Sequence, residues 1–377
     1  MATHCQIPNA IEKILAASHC GCAFIGGSLT VGVGASNVAE SSWRALFLKY
    51  LYRTYHPKYH CQVSEIMGSV GASESYSSVF MLERHVLPAL PDLALVEECV
   101  NDSGAPDKTL VTKGMEGMVR QLLHSRGRCE VMIVGQGKRD GLVDVSLHRK
   151  VAEHYDLPFV DCQGYILETL KQRGQTWNDI DIEFEKDDPC HLNDYGNQLC
   201  FEAIRACFEE QVRLYAEGKR RERHAAIPAP LVSDELQHTQ LIDPSKPDER
   251  IELEGAWEKK TRDLLPWYFD NLLVGRPGAR LTLRFKGTAA AVFGLMYNNG
   301  LKLEAVLDGK ELAGAYLRHF IEFGKGVVLA HGLPMAEHVL QLTVGAPSQR
   351  HNKLENPTAQ VAYLAIAAPP EPAPTTA

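Results

Sequence analysis

Two distant segments of this 377-residue chain carry side chains that could together perform acyl transfer. Ser28 follows an apolar run that ends in two glycines, and His191 stands three residues after Asp188, a spacing that can bring both side chains to one side of a turn. A serine hydroxyl is a weak nucleophile at neutral pH, so it needs an imidazole base, and the imidazole needs an acceptor that fixes its tautomer. Ser28, His191 and Asp188 are therefore candidates for the nucleophile, its base and the orienting acid.

Donors for a developing oxyanion are the second requirement of this chemistry, and two more segments could supply them. Residues 68–73 offer backbone N–H groups, with Gly71 as the first candidate and Gly68 as the alternative, and Asn101 offers a side-chain amide. Each of these residues also has an ordinary interpretation as a turn residue, and His191 is one of 15 histidines. The chemical interpretation therefore depends on all four segments meeting at one place.

The elements that must position these residues alternate along the first half of the chain. From residue 22 to residue 215, short apolar runs are separated by longer stretches of helical periodicity. The runs predicted as strands are 22–25, 61–66, 93–97, 129–134 and 157–160. This alternation predicts an α/β fold with a flavodoxin-like five-stranded parallel sheet and helices on both faces. The candidate segments lie at or beside predicted strand ends, along the rim where such sheets bind ligands.

A second domain is predicted from about Arg220, where alternation of apolar and polar residues replaces the helical period, as at 281–285 and 301–305. The dipeptides Asn299-Gly300 and Asp308-Gly309 predict hairpin turns. We therefore expect a smaller all-β sandwich of jelly-roll kind. The predicted organisation is an α/β domain at 1–222, a linker at 223–230, the β-sandwich at 231–367 and a disordered tail at 368–377.

Composition argues against several classes of protein. A net charge of −8 gives no reason to expect nucleic-acid binding, which needs a clustered cationic face. No run approaches the roughly 18 apolar residues of a membrane span, and the N-terminus lacks a signal-peptide pattern. The chain is therefore expected to be cytoplasmic as written, although a secreted protein without its leader would read the same. Paired zinc spacing is absent, so neither a metal nor a cofactor is predicted, and reduced cysteines are expected.

Together, the four segments resemble the signature blocks of the SGNH, or GDSL-like, hydrolases. The blocks are residues 26–30, 68–73, 100–102 and 188–193, and the resemblance covers about residues 20–215. It implies a serine esterase with a catalytic triad of Ser28, Asp188 and His191. It also implies an oxyanion hole formed by the N–H groups of Ser28 and Gly71 and by the Asn101 amide.

Two positions depart from the family's pattern. The acidic residue usual before the nucleophile is Gly27 here, and the glycine usual two residues before the asparagine is Cys99. Neither position carries a triad function, so the resemblance still implies activity. The nucleophile loop is expected to be looser than is typical of the family.

The substrate implied by the resemblance is an acyl ester. An O-acetyl ester of a carbohydrate is favoured, because similar hydrolases carry jelly-roll modules that help to seat a sugar. Aromatic residues of the β domain could stack on a sugar or belong to its core, namely Trp257, Trp267, Tyr268 and Tyr297. Two alternatives stay open, a lipase-like or thioesterase-like hydrolase of longer acyl esters and a non-catalytic saccharide-binding protein. The β domain could instead form a homo-oligomer interface.

Overall fold

The computed structural model describes most of the chain. The described residues are 3–139, 143–182, 190–222, 226–261, 268–319, 322–347 and 356–369. The described residues do not include Asp188 or Trp267. They also do not include the chain beyond residue 369, which belongs to the tail predicted to be disordered.

The chain divides into two compact units. The first comprises residues 1–78 and 84–234, and the second comprises residues 79–83 and 235–377. The boundaries predicted from the sequence, 1–222 for the first domain and 231–367 for the second, remain a prediction.

The first unit is built on a five-stranded sheet in which every strand pair is parallel. The strands are β1 (His19–Gly26), β2 (Gln62–Met67), β3 (Leu93–Glu97), β4 (Glu130–Gly135) and β5 (Phe159–Asp161). Their order in the sheet is β2-β1-β3-β4-β5. Strands β1, β3 and β4 are almost entirely buried, as expected for parallel strands covered on both faces. The predicted flavodoxin-like sheet is confirmed.

Helices pack on both faces of this sheet. The helices in this part of the chain are α1 (Pro8–Leu15), α2 (Ser28–Val31), α3 (Val38–Ser41), α4 (Trp43–Tyr59), α5 (Ser75–His85), α6 (Cys99–Ser103), α7 (Lys108–His124), α8 (Ser146–His154), α9 (Cys162–Gln172) and α10 (Asp194–Ala216). Residues 79–83 of α5 belong to the second unit. Apolar side chains of α1, α4, α9 and α10 form one core with β1, β3 and β4, while α7 and α8 also contact β4. None of the described helices combines the length and the apolar character needed to cross a membrane.

From residue 239 onward, the described part of the second unit consists of antiparallel strands. They are β6 (Thr239–Ile242), β7 (Ile251–Glu254), β8 (Trp257–Thr261), β9 (Asn271–Gly275), β10 (Arg280–Gly287), β11 (Ala289–Met296), β12 (Lys302–Leu307), β13 (Lys310–Tyr316), β14 (Phe323–Ala330), β15 (Ala336–Val344) and β16 (Ala359–Ala367). One sheet has the order β13-β12-β15-β10-β7. The other has the order β14-β11-β16-β9-β8, with β6 also paired to β16.

The two sheets of this unit enclose one apolar core. The alternation that predicted β10 is largely preserved, since Leu281, Leu283 and Phe285 are buried while Arg280 and Arg284 are exposed. Thr282 is the exception, because it is buried as well. Side chains of both sheets contribute to the same cluster, so the predicted all-β sandwich is confirmed.

One of the two predicted hairpin turns is confirmed and the other is wrong. Asp308 and Gly309 join the antiparallel strands β12 and β13, and both adopt positive φ, at 50° and 80°. Asn299-Gly300 also belongs to a turn, in which the Gly300 N–H donates to the Tyr297 carbonyl over 3.0 Å. This turn connects β11 to β12, which lie in different sheets, so it carries the chain across the sandwich rather than forming a hairpin.

Candidate active site

Ser28 lies at a tightly packed turn between β1 and α2. Strand β1 ends at Gly26, and Ser28 is the first residue of α2. A Cβ atom on Gly26 would stand 2.2 Å from the Glu97 carbonyl oxygen and 2.3 Å from Thr30 Oγ1, so glycine is required for this close approach. The turn therefore holds the Ser28 hydroxyl at the carboxyl end of the sheet, where ligands bind in folds of this kind.

Helix α4 also holds α2, the short helix that begins at Ser28. Trp43 Nε1 donates to the Leu29 carbonyl and Arg44 Nε donates to the Thr30 carbonyl, each over 3.0 Å. Arg44 is buried and forms an ion pair with Glu65 of β2. These contacts argue against the loose nucleophile loop expected from the sequence.

His191 lies within hydrogen-bond distance of Ser28. Its Nε2 atom is 2.7 Å from Ser28 Oγ, the distance of a well-formed hydrogen bond. Both residues are half-buried, so the hydroxyl is only partly covered. Asp188 lies outside the described residues, and its contact with the imidazole remains a prediction.

The backbone around His191 is fixed by the segment that follows α9. The Ile182 N–H donates to the His191 carbonyl over 3.1 Å, and Leu192 forms a β-bridge with Asp181. Asp181 is buried and forms a salt bridge of 2.8 Å with Arg139. The position of the imidazole therefore depends on a short two-stranded contact that an ion pair supports.

Asn101 lies directly beside the turn that carries Ser28. It belongs to α6, which follows β3 after one residue. A Cβ atom on Gly27 would stand 2.5 Å from Asn101 Oδ1, so the amide packs against the residue that precedes Ser28. This contact also gives a reason for the glycine at position 27, since any side chain there would have to displace the amide.

Gly71 lies on a segment tied to the same turn. The Val70 N–H donates to the Gly26 carbonyl over 3.1 Å. A Cβ atom on Gly71 would meet no other atom within 4 Å, so Gly71 borders open space. The Gly68 N–H, by contrast, donates to the Phe24 carbonyl over 2.9 Å. Gly71 is therefore the better candidate for an oxyanion donor, and Gly68 is already engaged in the sheet.

Cys99, the second departure from the family's pattern, fastens α6 to the end of β4. Its side chain is buried, and the Gln136 N–H donates to Sγ over 3.0 Å. The thiol in turn lies 3.1 Å from the Gln136 carbonyl. Burial raises the pKa of Cys99 well above that of an exposed thiol, so the group is neutral. Cys99 thus supports the helix that carries Asn101.

Sequence reasoning missed several buried polar residues that hold these segments. Asn197, on the apolar face of α10, donates to the Leu192 carbonyl over 2.8 Å and accepts from the Trp43 N–H over 3.0 Å. It therefore links α4 to the residue after His191. Glu97 is fully buried at the end of β3, where its carboxylate accepts from Thr30. The available signal was a polar residue inside an otherwise apolar pattern, which seldom occurs without a partner.

The cysteines are free in this structure. All ten are reduced thiols, and most are buried. Within the described ranges, no group of three or more His, Cys, Asp or Glu side chains is arranged to hold a metal ion.

The aromatic residues of the second unit differ in role. Tyr268 is buried and its ring centroid lies 4.9 Å from that of Phe269, so it belongs to the core. Trp257 and Tyr297 are half-buried and line a cavity of about 440 Å³ together with charged and amide side chains. Trp267 lies outside the described residues. Two of the four aromatics are thus accessible to a ligand.

Comparisons with known proteins bear on the fold and on the family of this chain. No curated protein matches the chain. The fold of this chain is shared by two crystal structures of a two-domain esterase active on acetylated mannans, each at 18% sequence identity. The TM-score is 0.81 for the structure co-crystallised with mannopentaose and 0.82 for the other. Each match covers 98% of this chain and 97% of the other. Residues 24–199 match the model of the GDSL-like lipase/acylhydrolase family. This segment is therefore a GDSL-like lipase/acylhydrolase domain, as its resemblance to the SGNH hydrolases implied.

Proposed function

We propose that this acylhydrolase is a serine esterase in which Ser28 is the nucleophile and His191 is its general base. The observation that carries the proposal is the 2.7 Å distance between His191 Nε2 and Ser28 Oγ. Two residues far apart in the chain meet at hydrogen-bond distance at the carboxyl end of the sheet. This is the arrangement that a serine nucleophile needs for activation.

The first half of the reaction forms an acyl-enzyme. His191 Nε2 accepts the Ser28 hydroxyl proton as Oγ attacks the ester carbonyl carbon. The carbonyl π electrons move onto oxygen and give a tetrahedral oxyanion. When the oxyanion collapses, the ester C–O bond breaks and the imidazolium donates its proton to the leaving alcohol. The products of this half are a Ser28 ester and the free alcohol.

The second half reverses these roles with water. His191 accepts a proton from water, whose oxygen attacks the acyl carbon. The second oxyanion collapses, Ser28 Oγ leaves with the proton from the imidazolium, and the acid is released. Asp188 is proposed as the acceptor that orients the imidazole and stabilises its charged form.

Three donors are proposed to stabilise the oxyanion. The Ser28 N–H stands in the first turn of α2, where backbone N–H groups have no acceptor within the helix. Gly71 borders open space on the side where a Cβ atom would stand, and its N–H is proposed as the second donor; the Asn101 amide, which packs beside the turn, is the third. Donors that are fixed before the reaction need no reorganisation when charge develops, which is the usual source of rate enhancement in such sites.

The proposed substrate class is O-acetyl esters of a saccharide. The two-unit layout supports it, because this layout is shared with an esterase active on acetylated mannans. The cavity lined by Trp257 and Tyr297 also supports it, since aromatic faces and polar side chains together suit a sugar. Both Trp257 and Tyr297 are fixed by hydrogen bonds, to the carbonyls of Arg280 and Thr358 respectively, each over 3.0 Å.

The decisive experiment is acetate release from a panel of acetylated mono- and oligosaccharides, compared with p-nitrophenyl esters of increasing chain length. We expect acetate release by the wild type and none by Ser28→Ala. Release of long acyl chains without acetate would favour the lipase-like alternative. Failure of a fluorophosphonate probe to label Ser28 would contradict the esterase proposal and favour a binding protein.

The proposed contribution of the second unit to saccharide binding is tested separately with Trp257→Ala. We expect kcat/KM on p-nitrophenyl acetate to be unchanged and KM on an acetylated oligosaccharide to rise about tenfold, roughly the effect of one lost aromatic contact. Tyr268→Phe, in the core of the same unit, is the matched control. Equal behaviour of Trp257→Ala and wild type on the oligosaccharide would remove the cavity from the substrate proposal.

A further inference from the structure

Glu97 contacts both segments that the proposed reaction needs. Its side chain is fully buried at the carboxyl end of β3. Carboxylate Oε2 accepts from Thr30 Oγ1 over 3.2 Å, and Thr30 belongs to α2 together with Ser28. The same carboxylate accepts from the Val100 N–H, next to Asn101 in α6, and Cys99 Sγ lies 3.8 Å from Oε1.

We propose that Glu97 is a positioning residue for ester hydrolysis, whose carboxylate fixes the nucleophile helix α2 and the amide-bearing helix α6 relative to each other. The inference rests on the proposed function, since it gives a role to the spacing between Ser28 and Asn101. Nothing in the chemistry requires Glu97 to touch the substrate. Glu97 acts indirectly, through the positions of α2 and α6, which carry the residues proposed to contact the substrate.

The donors around Glu97 favour its ionised form for this role. Thr30 Oγ1 and the Val100 N–H donate to the carboxylate, and the Cys99 thiol is a weaker third donor, because its one hydrogen also faces the nearer Gln136 carbonyl. A protonated carboxyl carries a hydrogen on one of its two oxygens, so the contacts at that oxygen would have to change. The two helices would then lose part of their shared anchor. The arrangement of α2 and α6 is therefore expected to be best when Glu97 carries its charge.

The surroundings make that charge costly. Burial, and next the charge of Asp102, raise the pKa of Glu97 to about 7 despite the three donors. The titratable groups that face it are Glu98 on its own segment, Cys99 and Asp102 on α6, and Cys162 at the start of α9. All of these are acids or thiols, and Thr30 of α2 contributes only a hydroxyl. Replacing Glu97 with a neutral residue should therefore favour folding above pH 7 while removing the anchor.

Glu130 provides a matched control within the same unit. It is buried at the first position of β4, at the amino end of the sheet, and burial raises its pKa to about 7 as well. It accepts from the Ala10 N–H over 2.8 Å and from Asn9 Nδ2 over 3.1 Å, so it contacts no segment of the proposed site. Glu97→Gln and Glu130→Gln are thus the same chemical change at opposite ends of one sheet.

The experiment measures kcat, KM, pH profile and melting temperature of both variants with p-nitrophenyl acetate. We expect Glu97→Gln to lose about tenfold to a hundredfold in kcat with little change in KM, because misplacing a reacting group by a fraction of an ångström has effects of this size. Protonation of Glu97 at about pH 7 should lower wild-type kcat, and this step should be absent from the profile of Glu97→Gln. Glu130→Gln should keep the wild-type kcat and profile, and both variants should melt no lower than wild type at pH 8.

A second pair of variants guards against misfolding of Glu97→Gln. Thr30→Val replaces the hydroxyl that donates to Glu97 with a methyl group. Thr30→Ser keeps the hydroxyl and is the control. We expect a similar loss of kcat in the first and recovery in the second. Three outcomes would each overturn the positioning role. Glu97→Gln could keep the wild-type kcat and pH profile, Glu97→Gln and Glu130→Gln could lose kcat equally, or Thr30→Val could keep the wild-type kcat.

Failure of the proposed function would be distinguishable. If Ser28→Ala is inactive while Glu97→Gln matches the wild type, the positioning role alone is wrong. If Ser28→Ala keeps wild-type turnover, the esterase proposal is wrong and the positioning role falls with it.

Discussion

The two ends of the parallel sheet contain buried acids with very different partners. At the amino end, Asp92 pairs with Lys13 of α1 and accepts from the Gly21 N–H over 2.8 Å. Glu130, also at that end, has Arg221 at 3.9 Å. Lys13 is a cation on the N-terminal helix, so these contacts anchor surrounding structure to the sheet.

Near the carboxyl end, the buried acids Glu97 and Glu98 have no cationic partner within the described part of the chain, whereas Asp181 pairs with Arg139. Glu98 accepts from the hydroxyls of Ser73 and Ser78, and its Oε2 has no partner among the described residues. Burial and the neighbouring Asp102 raise the pKa of Glu98 well above its usual range. Asp102 accepts from the Ser75 N–H and from His148 Nε2, each over 2.9 Å.

The difference indicates what each end is arranged to do. Buried acids without cations cost folding free energy, so we expect that Glu97 and Glu98 are retained for the arrangement that they impose on their neighbours. The amino end holds the unit together, whereas the carboxyl end holds several short segments in one arrangement around Ser28. Substitutions at the carboxyl end should therefore affect turnover more than stability, and those at the amino end the reverse.

The largest effect is expected from His191→Ala. Without the base, Ser28 cannot lose its proton during attack, and kcat should fall by at least about four orders of magnitude. The melting temperature should change little, since the imidazole is half-buried. His4→Ala is the amino-end control. His4 Nε2 lies 2.7 Å from the Asp156 carboxylate, and this pair is remote from the site. Comparable kcat losses in the two variants would contradict the division between the ends.

Asn101→Ala should have the next largest effect. Loss of one oxyanion donor costs about 10²–10³ in kcat in comparable sites. KM should change little, because the donor acts on charge that develops during the reaction. Asn9→Ala, which removes an amide from Glu130 at the amino end, should leave kcat unchanged. A wild-type kcat for Asn101→Ala would exclude its amide from the oxyanion hole.

Much of this arrangement could be predicted from the sequence, because it depends on local patterns. The five apolar runs predicted the strands, and polar residues directly after them predicted the rim at which Ser28 and Asn101 lie. The resemblance to a known family then added roles to these residues. Each prediction used residue types and spacings within one short segment, which is where sequence patterns are informative.

What could not be predicted depends on contacts between segments. Gly68 and Gly71 look equivalent in sequence, and only the bond from the Gly68 N–H to the sheet separates them. Glu97 resembles an ordinary acid at a strand end until α2 and α6 are both seen to contact it. Asn299-Gly300 failed as a hairpin signal because the dipeptide favours a turn but does not determine which sheet receives the next strand.

A smaller effect is expected from Gly27→Ala. The new Cβ atom would stand 2.5 Å from Asn101 Oδ1, so the amide must move while the backbone of the turn stays in place. We expect kcat to fall about tenfold, less than in Asn101→Ala, because a displaced donor still contributes part of its stabilisation. The test is additivity: in the double variant Gly27→Ala/Asn101→Ala, the first substitution should cost nothing further. Full additivity would mean that Gly27 acts independently of Asn101.

The smallest effect on turnover is expected from Glu130→Gln, whose consequence should instead appear in the pH dependence of stability. Burial raises the pKa of Glu130 from 4.5 in a model peptide to about 7, so its favourable contribution is complete below about pH 4.5 and is lost as the pH rises through about 7. A shift of this size corresponds to roughly 3 kcal/mol, and glutamine, which cannot ionise, should remove that loss. Urea denaturation at pH 5 and pH 8 should therefore show a smaller fall in the free energy of unfolding for the variant than for the wild type. The free energy of unfolding could instead fall equally in the variant and the wild type while the variant loses kcat. Glu130 would then serve the site rather than the fold, and the contrast between the two ends of the sheet would not hold.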